Sequence, residues 1–247
     1  MSEGAARLVT APVADLLRAP DGSRDRQLQM GEAFDVERKN GAWFWGRAAR
    51  DGYPGCIAAH LLAEEKSPTH RVAVRATHLY DAPDFKTRER ASLGFGAELC
   101  VEVEHKKWFE CSQGFVPKSH LRPAHRPFSD PVTVAQLFFG TPYLWGGNSV
   151  FGIDCSGLVQ AGLLACGVAC PGDSGPQCEA LGTPIALSDV RRGDLVFWPG
   201  HVAWVVDPET ILHANAHHMA VAYERLSAAV LRIEAQGGGA VSAVKRL

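Results

Sequence analysis

The pair Trp43-Phe44 recurs as Trp108-Phe109, sixty-five residues on, and Asp15-Leu-Leu-Arg-Ala-Pro-Asp21 has a counterpart in His78-Leu-Tyr-Asp-Ala-Pro-Asp84. A repeat of this period confines each copy to one small supersecondary unit. Both copies close alike, with Gly52-Tyr-Pro-Gly-Cys-Ile57 ahead of His60-Leu61 and Gly114-Phe-Val116 ahead of His120-Leu121. Within each copy the segments are short, apolar at alternate positions and separated by turn residues. Phe34–Glu37 and Trp43–Arg47 in the first answer to Leu99–Val103 and Trp108–Cys111 in the second. Alternation of this kind predicts half-buried strands. The expected organisation is a tandem duplication of two small β-barrels, residues 1–66 and 67–126.

Three prolines in nine residues, Pro123 to Pro131, mark a linker. Residues 127–247 have a different pattern. An apolar helix is expected over Val132–Phe139 and a second one after Cys155. Alternating strands are expected at Asp194–Trp198, His201–Val206, Thr210–His213 and Met219–Ala222. Helices first and an antiparallel sheet afterwards predict an α+β domain.

The stretch Tyr143-Leu-Trp-Gly-Gly-Asn-Ser-Val-Phe-Gly-Ile-Asp-Cys-Ser-Gly157 sets one cysteine between a glycine-rich turn and an apolar helix. Free cysteine is among the most buried residue types, so a lone one is more often packing than chemistry. The position of Cys155 argues otherwise. At a helix start, amides without an intrahelical acceptor and the positive end of the helix dipole favour the thiolate, the reactive form. Gly157 is expected to let a substrate approach. Two histidines supply the remaining groups. His201 opens a strand after the Pro199-Gly200 turn, and His213 ends the next, where a hairpin would bring both rings to one edge of the sheet. A nucleophile, a base and a group that orients the base are the parts needed for acyl transfer.

In order along the chain, Tyr143-x-Trp-Gly-Gly, Asp154-Cys155-Ser156-Gly157, Gly193-Asp194-Leu195-Val196-Phe197, His201-Val202 and His213-Ala214 resemble the motif set of the NlpC-type cell-wall peptidases, over about residues 128 to 222. The resemblance implies a papain-like cysteine peptidase domain with Cys155 as nucleophile, His201 as general base and acid, and His213 as third polar residue. It also implies that the Tyr143 hydroxyl helps the Cys155 N–H to stabilise an oxyanion. The tandem blocks, residues 7–66 and 70–124, resemble bacterial SH3-like domains. Together the three resemble γ-D-glutamyl-L-diamino acid endopeptidases, which cut L-Ala-γ-D-Glu from meso-diaminopimelate or L-Lys and need a free N-terminal L-Ala.

In that group the first SH3-like domain covers part of the cleft and contributes a tyrosine, which Tyr53 matches. A free ammonium in a partly dry pocket needs an acceptor, and an α-carboxylate needs donors. Asp154 and Ser156 are the expected partners, with Ser174 as a further hydroxyl and Glu32 as an additional amine contact. The chain departs from the group at Gly172, where an arginine commonly stands, and at Cys56, which replaces a large aromatic.

The implied function is hydrolysis of soluble, trimmed muropeptides in cell-wall recycling. The alternatives are lysis of intact peptidoglycan with the SH3-like modules as anchors, and a non-catalytic protein that binds cell-wall peptides. A net charge of −2 and the lack of a basic run or basic aromatic stripe leave nucleic acid and membranes without electrostatic support as partners. No cofactor is expected. Seven cysteines at irregular positions fit no disulfide framework. Cys166, Cys170 and Cys178 lack the paired spacing of a zinc site, so no metal is expected either. The opening residues show no basic and apolar leader, and the expected localisation is cytoplasmic. Asp194 is expected to close a turn, and His217 and His218 to be solvated.

Overall fold

The computed structural model describes residues 6–64 and 66–247. Residues 1–5, on which the leader reading rests, lie outside them. The chain divides into two compact units between Pro127 and Phe128, inside the proline-bearing linker. No helix among the described residues is long and apolar enough to cross a membrane.

The first unit holds both repeat copies. Copy one is a seven-stranded antiparallel sheet in the order Arg24–Gln29, Val13–Leu17, Pro54–Ala58, Trp43–Ala48, Ala33–Asn40, Ala6–Val9 and Leu62–Ala63. Its strands are half-buried as the alternation predicts, and Leu16, Leu28, Phe34, Phe44 and Ile57 form the core. Copy two has five strands in the order Glu89–Gly94, Ala76–Tyr80, Gly114–Pro117, Trp108–Cys111 and Val101–Glu104. A three-stranded sheet of Glu98–Leu99, His70–Val72 and Leu121–Pro123 accompanies it. Each copy ends in a short 3-10 turn before its last strand, Ala59–Leu61 in one and Lys118–His120 in the other. The closing His-Leu pairs belong to these turns and the residues after them.

The copies are joined through main chain. Glu98 N–H donates to Met30 O at 2.7 Å, the Gln29 side chain donates to Phe95 O at 3.0 Å, and Met30 packs into the core of copy two. Gly31 has φ +83°, and a Cβ there would lie 2.2 Å from the Glu98 carbonyl oxygen, so only glycine admits this approach. The Glu98 carboxyl is caught in the junction. Burial and the neighbouring Glu32 push it up to about 7, against the Arg71 guanidinium 3.8 Å away.

The second unit contains four helices, α1 (Pro131–Gln136), α2 (Cys155–Ala165), α3 (Ser174–Ala180) and α4 (Leu226–Ala235). Its six-stranded antiparallel sheet runs Thr183–Pro184, Ala243–Arg246, Leu195–Trp198, His201–Asp207, Thr210–Asn215 and Ala220–Arg225. Helix α1 starts where proline suits the first turn, with Asp130 capping the amides of Val132 and Thr133. Helix α2 is buried nearly all round rather than along one stripe, because it lies between α1 and the sheet. Gly162 meets the Pro131 carbonyl and the Trp204 ring, and the Trp204 indole donates to Leu158 O at 3.5 Å. The opposite face of the sheet, with Ala203, Val205 and Ile211, packs on Leu226, Ala229 and Ile233 of α4. Helices therefore cover both faces. Helices α3 and α4 and the final strand lie where no regular element is expected from the sequence. Asp194 accepts from the Arg191 amide and from both ends of the Arg246 guanidinium fork, closing a turn as expected.

The glycines around Cys155 carry the local geometry. Gly146 has φ +70°, a left-handed conformation that glycine adopts without steric cost. A Cβ on Gly157 would lie 2.6 Å from the Gly147 carbonyl oxygen. The space beside Gly157 is thus taken by the Gly-Gly turn, which corrects the expectation that it admits substrate.

This packing makes Gly157 and Glu98 sensitive positions. Gly157→Ala should destabilise the protein by about 1–3 kcal/mol, since neither backbone segment yields cheaply. A thermal melt checks it; an unchanged midpoint would mean that the turn moves aside freely. The Glu98 carboxyl, about 7 when folded against an ordinary 4.5, makes stability full below pH 4.5 and reduces it as pH rises to about 7. Glu98→Gln should therefore melt higher relative to wild type at pH 8 than at pH 5. An equal gap at both would show a carboxylate ionised throughout.

Candidate active site

The nucleophile candidate stands at the first position of α2. Asp154 precedes it in extended conformation as the N-cap, and its Oδ1 accepts from Gly157 N–H at 2.6 Å and from the Ser156 hydroxyl at 3.1 Å. The second carboxylate oxygen accepts from Gly146 N–H at 3.0 Å, so one buried side chain ties the glycine turn to the helix start. Below it, Asn148 donates to Gln160, Gln160 donates to Cys170 O, and the buried Gln177 amide of α3 donates to Ser156 O and Pro171 O. This polar layer fixes where α2 begins. Cys155 is buried, with Sγ 4.0 Å from the carbonyl oxygen of Gly200.

Gly200, at φ +72°, ends the two-residue turn between Leu195–Trp198 and His201–Asp207, in which Trp198 pairs with His201. That turn places His201 directly after the carbonyl that Cys155 Sγ approaches. His201 Nε2 lies 2.9 Å from His213 Nδ1. The register pairs Trp204 with Leu212, so His201 and His213 are diagonal neighbours on one face. His213 is fully buried in an inner strand, between His201–Asp207 and Ala220–Arg225, rather than at a sheet edge. Burial lowers the basicity of both rings, and in His201 the neighbouring imidazole adds to it. His201 is therefore held neutral, the form that accepts a proton.

Beyond His213 are two residues that the motifs do not contain. His213 Nε2 lies 3.1 Å from Glu224 Oε2, and Arg232 of α4 grips both oxygens of that carboxylate, at 2.9 Å from Nε and 2.7 Å from Nη2. Glu224 sits two residues from Ala222, the strand partner of His213, and therefore on the same face. The adjacent charges Glu224-Arg225, ending an otherwise uncharged strand, are the local signal for the first of them; Arg232 belongs to a helix that the periodicity does not reveal.

Tyr143 is half-buried, with its amide donating to Met219 O. Burial first, then the nearby Cys155 and Asp154, push its phenol up to about 12, so it keeps a proton to donate. Ser156 is buried with its hydroxyl on Asp154, and Ser174 is the first residue of α3. Tyr53 and Glu32 belong to the first unit. The Tyr53 ring packs on the core of copy one with the Arg26 guanidinium 5.5 Å from its centre. Both Glu32 oxygens accept from Arg50, and one also takes the Gln29 amide.

Among the described residues, donor atoms of His213, His218 and Glu224 lie within 4.8 Å of one another. Arg232 and His213 already occupy both oxygens of Glu224, so a cation would have to displace a partly buried ion pair. His218 is exposed, with its amide and ring on Asn215. All seven cysteines are free thiols, and among the described residues Cys166, Cys170 and Cys178 do not converge on a metal-binding geometry.

Comparison with known proteins agrees with this arrangement. Residues 140–234 match the NlpC/P60 family, and residues 16–62 match the bacterial dipeptidyl-peptidase SH3 domain. A γ-D-glutamyl-L-lysine dipeptidyl-peptidase from Bacillus subtilis is 31% identical over 191 residues, 70% of this chain and 63% of that relative's length. One of the same name from Bacillus cereus is 29% identical over 224 residues, covering 77% of this chain and 67% of its own. In fold, the crystal structure of an NlpC/P60 family protein from Bacillus cereus matches 98% of this chain and 99% of its own, with a TM-score of 0.83 at 20% identity. With Cys155 and both histidines inside the matched segment, residues 140–234 are an NlpC/P60 cysteine-peptidase domain.

Proposed function

We propose that this protein hydrolyses the bond between γ-D-Glu and the following diamino acid in peptidoglycan-derived peptides that keep a free N-terminal L-Ala. It thereby acts in cytoplasmic recycling of the cell wall. The observation that carries the reading is the run from Cys155 at the start of α2 to the neutral His201–His213 pair. The names of the two Bacillus relatives support the bond, and the match of residues 16–62 to a dipeptidyl-peptidase SH3 domain supports the architecture. Residues 67–126 are read as a second such barrel on the recurrence of Trp108-Phe109 and of the closing 3-10 turn. Roles in substrate binding for Tyr53, Glu32, Asp154, Ser156 and Ser174 rest on the family resemblance. For Asp154 and Ser156 they come in addition to capping the helix.

The chemistry is acyl transfer. Cys155 sulfur attacks the γ-carbonyl carbon of D-Glu while its proton passes to His201. The Tyr143 hydroxyl and the Cys155 N–H receive the charge that develops on the carbonyl oxygen. His201 returns the proton to the departing amine of the diamino acid, leaving a thioester. Water then attacks the thioester and gives a proton to His201, which passes it to the leaving thiolate. The products are L-Ala-γ-D-Glu and the free diamino acid. Either lysine or meso-diaminopimelate presents the same leaving amine, and a shared γ-D-Glu acyl group makes both substrates of one mechanism.

The test is a pair of assays, on L-Ala-γ-D-Glu-meso-diaminopimelate or its lysine counterpart and on the same peptides N-acetylated. Release of the diamino acid from the free peptide alone is expected. No release from either would sink the reading, and equal turnover of the capped form would favour action on intact wall. Tyr143→Phe should lower kcat about 100-fold with little change in KM, as befits loss of one oxyanion donor. An unaltered kcat would reduce Tyr143 to a packed aromatic.

A further inference from the structure

His213 occupies the third position of the site, and an imidazole there poses a problem that an amide would not. A neutral ring carries its single proton on either nitrogen, and only one of the two tautomers suits the task. If His213 bore its proton on Nδ1, it would face His201 as a donor. His201 Nε2 would then have to be the acceptor, and the basic nitrogen needed for Cys155 would be spent on the wrong neighbour.

The surroundings of His213 decide between the two. Its Nε2 faces Glu224 Oε2 at 3.1 Å, and that carboxylate is gripped on both oxygens by Arg232. Glu224 is little exposed, its side chain 12% accessible, and His213 is not exposed at all. Beside an arginine fork, and with His213 adding to it, the Glu224 carboxyl is held well below the usual carboxylate range. An ionised carboxylate accepts and never donates.

We propose that the Glu224–Arg232 pair is a positioning device that fixes the tautomers of both histidines. The carboxylate requires a proton on His213 Nε2, so His213 Nδ1 is left as an acceptor. That nitrogen lies 2.9 Å from His201 Nε2, which must then be the donor. The basic lone pair of His201 is thereby confined to Nδ1, the ring nitrogen nearer its main chain. The carbonyl just before His201 is the one that Cys155 Sγ approaches to 4.0 Å. Arg232 holds the carboxylate at a second point, so the acceptor lobe cannot swing away from His213. Its positive charge also offsets the carboxylate's, so the pair sets direction without adding much negative potential at the imidazoles. His218, exposed on the loop after Asn215, is the other titratable group near His213.

The inference rests on the cysteine-peptidase reading for its consequence and on the side-chain geometry for its content, and the experiment separates them. Histidine-15N-labelled protein, observed by long-range proton–nitrogen correlation at neutral pH, should show His213 with Nε2 protonated and Nδ1 bare, and His201 likewise. This readout needs no substrate. In Glu224→Gln the amide offers both a donor and an acceptor, and a mixture of His213 tautomers is expected. The kcat on the free tripeptide should fall about 10–100-fold while KM stays within about twofold, the behaviour of a partner behind the reacting groups. Glu224→Asp, which keeps the acceptor-only group, should recover part of the loss.

A wild-type spectrum with the His213 proton on Nδ1 would overturn the proposal whether or not the peptide is cleaved. So would a Glu224→Gln protein with wild-type tautomers and kcat. If the variants fail to fold, as thermal melting would reveal, the wild-type spectrum still decides. If the spectrum fits and no peptide is cleaved, the tautomer assignment stands and the substrate reading falls.

Discussion

The carboxylate of Asp154 receives hydrogen bonds from Gly146, Ser156 and Gly157 while almost wholly out of contact with solvent. A buried carboxylate without donors is very costly, so these bonds are a condition for the fold there rather than an ornament of it. They also decide the chemistry. The same group that starts helix α2 pulls in the glycine turn, and between them they leave Cys155 as the first helical residue. The glycines answer the same demand from the other side. Gly146 takes the left-handed conformation, and Gly147 presses its carbonyl on Gly157 where any side chain would block it. Capping is worth only about 1 kcal/mol in an ordinary helix, but here it fixes the position of Cys155, the proposed nucleophile, for which small displacements would be costly.

The sheet supplies the rest by alternation. Trp204 and its neighbours on one face support α2, while His201, Ala203, Val205, Ile211, His213 and Glu224 share the other face with α4. A period of two thus separates the surface that anchors the Cys155 helix from the surface that carries the imidazoles. Where the chain reverses at Pro199-Gly200, the Gly200 carbonyl lies 4.0 Å from Cys155 Sγ. The tight turn is short enough to bring the start of a strand under the start of a helix.

How much is legible in the residues depends on the range of the interaction. The strand after Pro199-Gly200 and the helix after Asp154 each announce themselves within a few positions, and so do the half-buried strands around Trp43 and Trp108. Arg232 does not, because its value lies in a carboxylate eight residues earlier on a different element, and α4 has no strong cap to mark it. Helix α3 is hidden in a segment rich in glycine and proline, whose local preference is for a turn; the Gln177 amide, bonded to the carbonyls of Ser156 and Pro171, holds it in place. Gly157 misleads for a related reason. A glycine beside a nucleophile suggests room for a ligand, and only the fold reveals that the room is filled by Gly147. The burial of His213 is equally non-local: the strand Ala220–Arg225 that covers it is marked by its alternation, but its pairing with Thr210–Asn215 is not.

Burial sets the two histidines a difficult task. It keeps them neutral and so ready to accept a proton, and it penalises the imidazolium that must form when they do. An acidic neighbour would relieve that penalty, and a lone carboxylate would do so strongly enough to charge the pair at rest. Glu224 is not alone. With Arg232 on both of its oxygens, it gives direction to the hydrogen bonds while the guanidinium acts on both rings in the opposite sense. The pair can therefore order the protons of a buried relay and still leave His201 a base in the resting protein, which neither an isolated glutamate nor an apolar wall would achieve.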